Sequence, residues 1–540
     1  MRATNMKKAI SRTRQLLAPM VAVALLLTAT AFAAAPGVSD TTFNLTASAA
    51  YITQPDGQML YSWGYGCRTQ PAHFVPSAIS APAGGCPTMQ IPGPTLVVTE
   101  GQQITIQLTN NLPPSAGSTS ILFSGLNVNS TDGVVGLLTH EAAPAGLVTY
   151  TFTATNPGTH SYYSGTQSDL QVEMGMYGAI IVLPNAPPAA GCPSHNRAAG
   201  LNASGTALVA NGENDFRLSP TGAAYHVPGS CYDREYLFQF SEMDPAIHSQ
   251  ALAQVNAANC TLDQNGALPA TCRLEVPTEP YHPAYFMING RSMPDDMDPN
   301  YAPEYPHQPY NGNPHMHPGD LVLLRIIGQG RWQHPFHEHG NHVRILGRDG
   351  NLITAPDQTN LAGPLLFTTT TTPGLAMDGI FYWTGKGLNW DPYGHNPTSA
   401  DINAKLPCTP DKNGYNTGAP TAINYFEWCQ DHHKPLEVAP FGDVNRGGPA
   451  TLPDSNILTN GAWYGGSAYL GPDATTRATA PTGTTPPSGT IANPPGSEAA
   501  FAFMWHSHNE REITTNNIFP GGMMMMMLVD SREFVIDESN

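Results

Sequence analysis

Basic residues are scarce in this chain. Its 540 residues hold 23 Lys and Arg against 41 Asp and Glu, a formal net charge of −18. So acidic a balance argues against nucleic acid and against anionic membranes as partners, and suits cationic or metal-ion partners. Long apolar runs are missing as well. Beyond the run 16–27, no stretch is long and apolar enough to span a bilayer. No segment reads as a long amphipathic helix. With 52 Gly, 51 Pro and only 12% charged residues, the chain reads as loop-rich and β-rich.

What stands at the beginning is an export pattern. Lys7, Lys8, Arg12 and Arg14 precede the run 16–27, and Ala31-Phe-Ala-Ala-Ala35 follows it. Residues 1–35 are therefore expected to be a signal peptide, the run being short for a transmembrane anchor. Removing its five basic residues takes the net charge from −18 to about −23. The mature chain is expected outside the cytoplasm: secreted, periplasmic or at the cell surface. Cysteines fit that compartment. There are eight, at 67, 86, 192, 231, 260, 272, 408 and 429, and an even number in an exported chain reads as disulfides. Sequence neighbours give the pairs Cys67–Cys86, Cys192–Cys231, Cys260–Cys272 and Cys408–Cys429, one of about 105 connectivities.

No cysteine falls within the two histidine clusters. These are His334-Pro-Phe-His337-Glu-His339-Gly-Asn-His342 and Trp505-His-Ser-His508. Both stretches read as strands, where residues i and i+2 share a face. His337 and His339 then project together, as do His506 and His508, with Glu338 and Ser507 facing away. Four imidazoles on two neighbouring strands make a candidate metal site; the plainer alternative is a buried polar pocket of hydrogen-bonded histidines. The pair His315 and His317 reads as a solvent-facing strand end, His342 as exposed, and His432-His433 as surface. Met523 to Met527 alternates between faces and reads as core packing.

Short alternating stretches broken by turn residues recur at 95–99, 103–108, 147–152 and 178–183. Others follow at 234–240, 285–290, 320–327, 343–346 and 523–529. Such spacing predicts β-sandwiches. Residues 36–187 read as a first domain, 188–224 as a connector and 225–540 as a second. A long interruption at about 391–500 ends in a Thr/Pro/Gly/Ala-rich tract at 471–496.

The ordered motifs resemble the multicopper oxidase family, of the two-domain cupredoxin type. Gln90-Ile-Pro-Gly-Pro-Thr95 and Leu108-Thr-Asn-Asn-Leu-Pro113 are similar to the opening of the family's first domain. Gly158-Thr159 and Met176-Tyr-Gly-Ala-Ile-Ile-Val182 are similar to its end. Ile288-Asn-Gly-Arg-Ser-Met-Pro294 resembles the start of the next domain, His334 to Gly340 its His-Pro-Phe-His-x-His-Gly strand, and His506 to Met523 its terminal motif. The resemblance implies an all-β fold: two cupredoxin-like Greek-key β-sandwiches, the second carrying the insertion. It also implies copper. In active members four His-x-His pairs, two from each end of the chain, hold a three-copper cluster that reduces dioxygen.

This chain departs from that pattern at the metal positions. Leu122-Phe-Ser-Gly-Leu126 and Tyr163-Ser-Gly165 stand where the first-domain pairs belong, and His160 is three residues out of register, reading as a surface or strand-end histidine. At the blue-copper site His334 keeps one imidazole position and Met523 the axial one. Ser507 replaces the thiolate and Glu512 the second imidazole, so a blue-copper centre is not expected. Carried over residue by residue, His339 and His506 fall on one copper, while His337 and His508 are each left alone on another. The expectation is a single metal at His337, His339, His506 and His508: copper, or Mn, Fe or Zn given the nearby carboxylates. The partner would be a small-molecule or metal-ion substrate, making the chain an oxidoreductase. A non-catalytic metal-binding or interaction protein is the other reading. Two-domain relatives assemble as trimers, so the resemblance admits a homo-oligomer.

Overall fold

The structure, a computed structural model, describes residues 35–75, 85–189, 192, 222–264, 266–317, 319–357, 360–383, 407–412, 414, 416–419, 467–469, 475–476, 491–492, 500–530 and 536. The expected signal peptide, Cys429, His432-His433 and most of the 391–500 insertion lie outside them. Among the described residues no helix is long and apolar enough to cross a membrane.

Two pairs of sheets carry the fold, as the alternation predicts: the protein is all-β, with cupredoxin-like sandwiches. In the first pair, strands Met59–Cys67, Thr42–Thr53, Gln103–Asn110, Leu147–Thr153 and Asn129–Asp132 form one sheet. Its partner runs Phe74–Val75, Gly37–Ser39, Leu96–Thr99, Tyr177–Leu183, Gly158–Tyr163 and Leu122–Phe123. Period-2 burial shows why the outer strands form. In Gln103–Asn110, Ile104, Ile106 and Leu108 point inward, and in Leu147–Thr153, Val148, Tyr150 and Phe152 do.

Tyr177–Leu183 and Arg234–Met243 are buried at every position. A strand covered on both faces loses its alternation, and Val97, Ile181 and Leu183 of the first sandwich indeed pack against Leu237, Ile327 and Ala376 of the second. The two sandwiches therefore stack back to back. Buried charge lies in the same layer, where Arg325 donates to Glu235 (2.9 Å) and Asp378 (3.3 Å).

In the second pair the inner sheet orders Tyr285–Ile288, Arg234–Met243, Leu321–Gly328, Ala376–Tyr382, Val343–Arg348 and Asn351–Leu352. The outer sheet orders His315–Met316, Met524–Asp530, Ala500–Ser507, His334–Glu338 and Thr368–Thr371. Both histidine clusters thus belong to one outer sheet, on adjacent strands. Met523, Met525 and Met527 pack into the core between these sheets with Phe336, Phe503 and Trp505, as alternation predicts.

Three disulfides form as expected: Cys67–Cys86, Cys192–Cys231 and Cys260–Cys272. Cys408 is also disulfide-bonded.

Two histidine expectations are corrected. His160 is fully buried, not a surface residue, with its ring nitrogens facing the carbonyls of Ser124 (3.0 Å) and Asn156 (2.9 Å). His315 and His317 do not face solvent: His317 is buried, and His315 Nδ1 lies 2.7 Å from the Asp530 carboxylate. Sequence periodicity also passes over a helix, Pro245–Ala257. It buries only Ile247, His248 and Ala251, too few for a stripe. Its signal is local: Asp244 accepts from the Ala246 N–H at 2.9 Å and Pro245 opens the first turn. Asp244→Ala is expected to cost about 1 kcal/mol, read as a lower denaturation midpoint.

Candidate metal centre

Strand His334–Glu338 lies between Thr368–Thr371 and Ala500–Ser507, antiparallel to both. The register sets His337 opposite Thr368 on one side and opposite His506 on the other. Directly opposed residues share a face, so Thr368, His337 and His506 look the same way. His339 and His508 follow one residue beyond their strand ends. The Pro335 carbonyl accepts the His508 N–H at 2.8 Å, and the His339 carbonyl accepts the Trp505 indole N–H at 2.8 Å.

Four rings meet there. His337 lies 4.7 Å from His339, 5.5 Å from His506 and 4.9 Å from His508, centre to centre. The Nε2 atoms of His339 and His506 are 3.3 Å apart. His337 Nδ1 sits 2.7 Å from Thr368 Oγ1, and His506 Nδ1 2.7 Å from the Ser507 carbonyl. The Ser507 carbonyl can only accept, so it sets the His506 proton on Nδ1 and leaves the Nε2 lone pair toward His339; Thr368 orients the His337 ring. His337 and His506 are buried and His508 is exposed, so the cluster opens to solvent on one side. Phe367 is half-exposed at this rim, edge-on to His337 and His342; His342 is part-buried.

Burial, with the charges of His339, His506 and His508 behind it, lowers the His337 pKa to about 4. Burial lowers that of His506 too. These imidazoles are neutral at pH 7, the state a metal needs. Among the described residues no three His, Cys, Asp or Glu side chains stand ready-made to hold a metal ion. The folded cluster therefore offers the His339–His506 pair, with the His337 and His508 rings beside it. Behind it, fully buried Glu338 is hydrogen-bonded by Thr369, and burial raises its carboxyl pKa to about 8. Thr368→Val, which removes the His337 partner, is expected to weaken metal binding about tenfold, measured by competitive titration.

His334, Ser507 and Glu512, which the resemblance sets at the blue-copper positions, are also brought together, in the buried layer beneath. His334 Nδ1 lies 2.9 Å from Glu512 Oε2, and Ser507 Oγ donates to the same oxygen at 2.5 Å. The point on which these groups converge is thus a carboxylate oxygen. On the far side of the ring, His334 Nε2 lies 3.0 Å from Glu242 Oε2. Burial alone would lower the His334 pKa; the hydrogen bonds and charges of Glu242 and Glu512 outweigh it and raise it to about 9. Met523 is buried in the core. A protonated imidazole, a hydroxyl and a carboxylate do not fit blue copper, which needs a thiolate and two neutral imidazoles. Nor do the residues fit a complete three-copper cluster. Leu122 and Tyr163 are cross-strand partners at the first-domain positions, with no imidazole between them.

Sequence reasoning passed over Glu242, Thr368 and Phe367. An acid inside the apolar strand Arg234–Met243 is the one available signal for Glu242; the others depend on register.

The all-β fold of cupredoxin-like sandwiches is that of a copper oxidase-like protein. Multicopper oxidase family models match residues 87–187 and 277–377. Over these two segments the chain is similar to multicopper oxidases. Laccase abr2 of Aspergillus fumigatus is 35% identical over 98 residues, 18% of this chain and 16% of that protein. Copper resistance protein A of Escherichia coli is 39% identical over 93 residues, 17% of this chain and 14% of that protein. The chain thus spans only about a sixth of the length of these relatives. Among solved structures, the multicopper oxidase mgLAC aligns over 91% of this chain and 86% of its own, with 15% identity and a TM-score of 0.43. Blue copper oxidase from Nitrosomonas europaea aligns over 90% and 85%, also at 15% and 0.43.

Proposed function

We propose that this is an exported copper-binding oxidoreductase that holds one metal at His337, His339, His506 and His508 and has no blue-copper centre. One observation carries the reading: the 3.3 Å approach of His339 and His506 Nε2 on paired strands, with two more imidazoles beside them. Copper is the metal the family implies; Mn, Fe and Zn are the alternatives a His/carboxylate set admits. Copper bound there would supply one-electron redox chemistry at a solvent-open position. The protein's own residues do the rest: the Ser507 carbonyl sets the His506 tautomer, Thr368 orients His337, Phe367 and His342 shape the rim, and the low pKa of His337 keeps protons from competing. The substrate is a small molecule or metal ion able to reach exposed His508. Disulfides and the export pattern at 1–35 support a site outside the cytoplasm.

A non-catalytic metal-binding or interaction protein is the second reading. It is favoured by the first-domain positions, where Leu122 and Tyr163 pair and His160 faces two carbonyls.

Metal content per chain tests both. Mature protein exported with Cu, Mn, Fe and Zn supplied should carry about one copper and oxidise a small reductant. Copper without turnover would favour the second reading. Three or four coppers would overturn the single-metal site, and a folded, metal-free chain would end the metal reading.

A further inference from the structure

The hydrogen bonds around His334 define its protonation state. Glu512 meets donors on both oxygens: Ser507 Oγ at 2.5 Å on Oε2 and Asn509 Nδ2 at 2.8 Å on Oε1. Glu242 Oε1 accepts the backbone N–H groups of Arg331 and Trp332, both at 2.8 Å, and the Tyr281 hydroxyl oxygen lies 3.2 Å away. The backbone and amide donors have no lone pair to offer in return, so both carboxyls are used as acceptors, as ionised groups are. His334 then faces a carboxylate at each nitrogen, and a neutral imidazole has only one N–H. A lone pair turned on a buried carboxylate is costly; a proton on each nitrogen satisfies both.

We infer that Glu242 is a positioning residue: with Glu512 it holds a protonated His334 where the family keeps its blue copper, and this proton-borne cross-link sets the turn that follows His506 and carries His508. The connectivity supports the second half. His334 begins the strand of His337 and His339, while Ser507, Asn509 and Glu512 span the turn beyond His506. Glu242 reaches in from strand Arg234–Met243 of the inner sheet, so one imidazolium ties both histidine strands to the sheet beneath. The charged and titratable groups facing it are Glu242 and Glu512, with Tyr281, Arg331 and Glu173 one step out. Tyr281 donates to Glu173 at 2.6 Å, and the Arg331 guanidinium lies over the Tyr281 ring. Thr371 faces it from the neighbouring strand.

The consequence for copper at the histidine cluster rests on the function proposed above; the state of His334 does not. ¹⁵N imidazole shifts of the metal-free chain, followed against pH, read that state directly. His334 should stay protonated past pH 8 in the parent protein and titrate closer to 6.5 in Glu242→Gln, which keeps the shape of the side chain. Copper(II) added alone to Glu242→Gln should bind at the cluster about tenfold more weakly, with an altered electron paramagnetic resonance spectrum. A parent His334 that titrates at about 6.5 overturns the cross-link. An unchanged titration in Glu242→Gln overturns the role of Glu242. A parent chain that binds no copper, with His334 still protonated, overturns the cluster's function and the positioning clause with it, leaving the cross-link in place.

Discussion

The double variant His339→Ala, His506→Ala is expected to lose its copper while keeping its fold. Removing a partner that only orients a ligand costs about 10–100-fold in metal affinity. Removing two ligands should therefore cost roughly a thousandfold or more. The fold should survive because the strands are held by their ladders and by the core at Phe336, Phe503 and Trp505, none of which the substitutions touch. Copper per chain by mass spectrometry and the near-ultraviolet circular dichroism of the same sample are the two readings needed. Full copper content in a folded double variant would place the metal elsewhere in the chain.

The same variant carries a pH signature without metal. His337 has a folded pKa near 4, below its ordinary 6.5. Its contribution to stability is thus fully present above pH 6.5 and is lost as pH falls toward 4. Burial is the main cause, and the neighbouring imidazoles add to it. Without His339 and His506 the apo protein should lose less stability between pH 6.5 and 4 than the parent. A thermal midpoint series over that range checks it.

How much of this was legible in the sequence follows from the range of each interaction. Alternation located strands such as Gln103–Asn110 and Leu147–Thr153 within a residue or two, because one face of each meets a core and the other meets water. The His-x-His spacing put side chains on a common face, and that survives in the ring contacts. Periodicity says nothing about who lies opposite. Thr368 was invisible because its bond to His337 is a matter of register, and Glu242 because it reaches His334 across 92 positions in sequence. The burial of His160 is hidden for the same reason: the two carbonyls that enclose it belong to loops no local pattern locates. The short helix at Pro245 was missed because its cue is an N-cap and not a stripe. Local chemistry was readable; long-range pairing of polar groups was not.

Removing the buried cation should have the largest effect on stability. In His334→Gln, Glu242 and Glu512 remain buried and face each other with no positive charge between them. Breaking a buried pair by deleting one partner costs about 3–5 kcal/mol, far more than a surface substitution. The sign with pH is fixed by the direction of the His334 shift. Its folded pKa is raised to about 9 from an ordinary 6.5, so its contribution is fully present below pH 6.5 and is lost as pH rises through about 9. The gap in thermal midpoint between parent and variant should therefore be wide near pH 6.5 and narrow steadily toward pH 9.5. Pairing His334→Gln with Glu242→Gln should recover part of the loss, because one of the two stranded carboxylates is then neutral. A gap that stays constant from pH 6.5 to 9.5 would mean that His334 is neutral in the fold, and that packing alone gives the residue its weight.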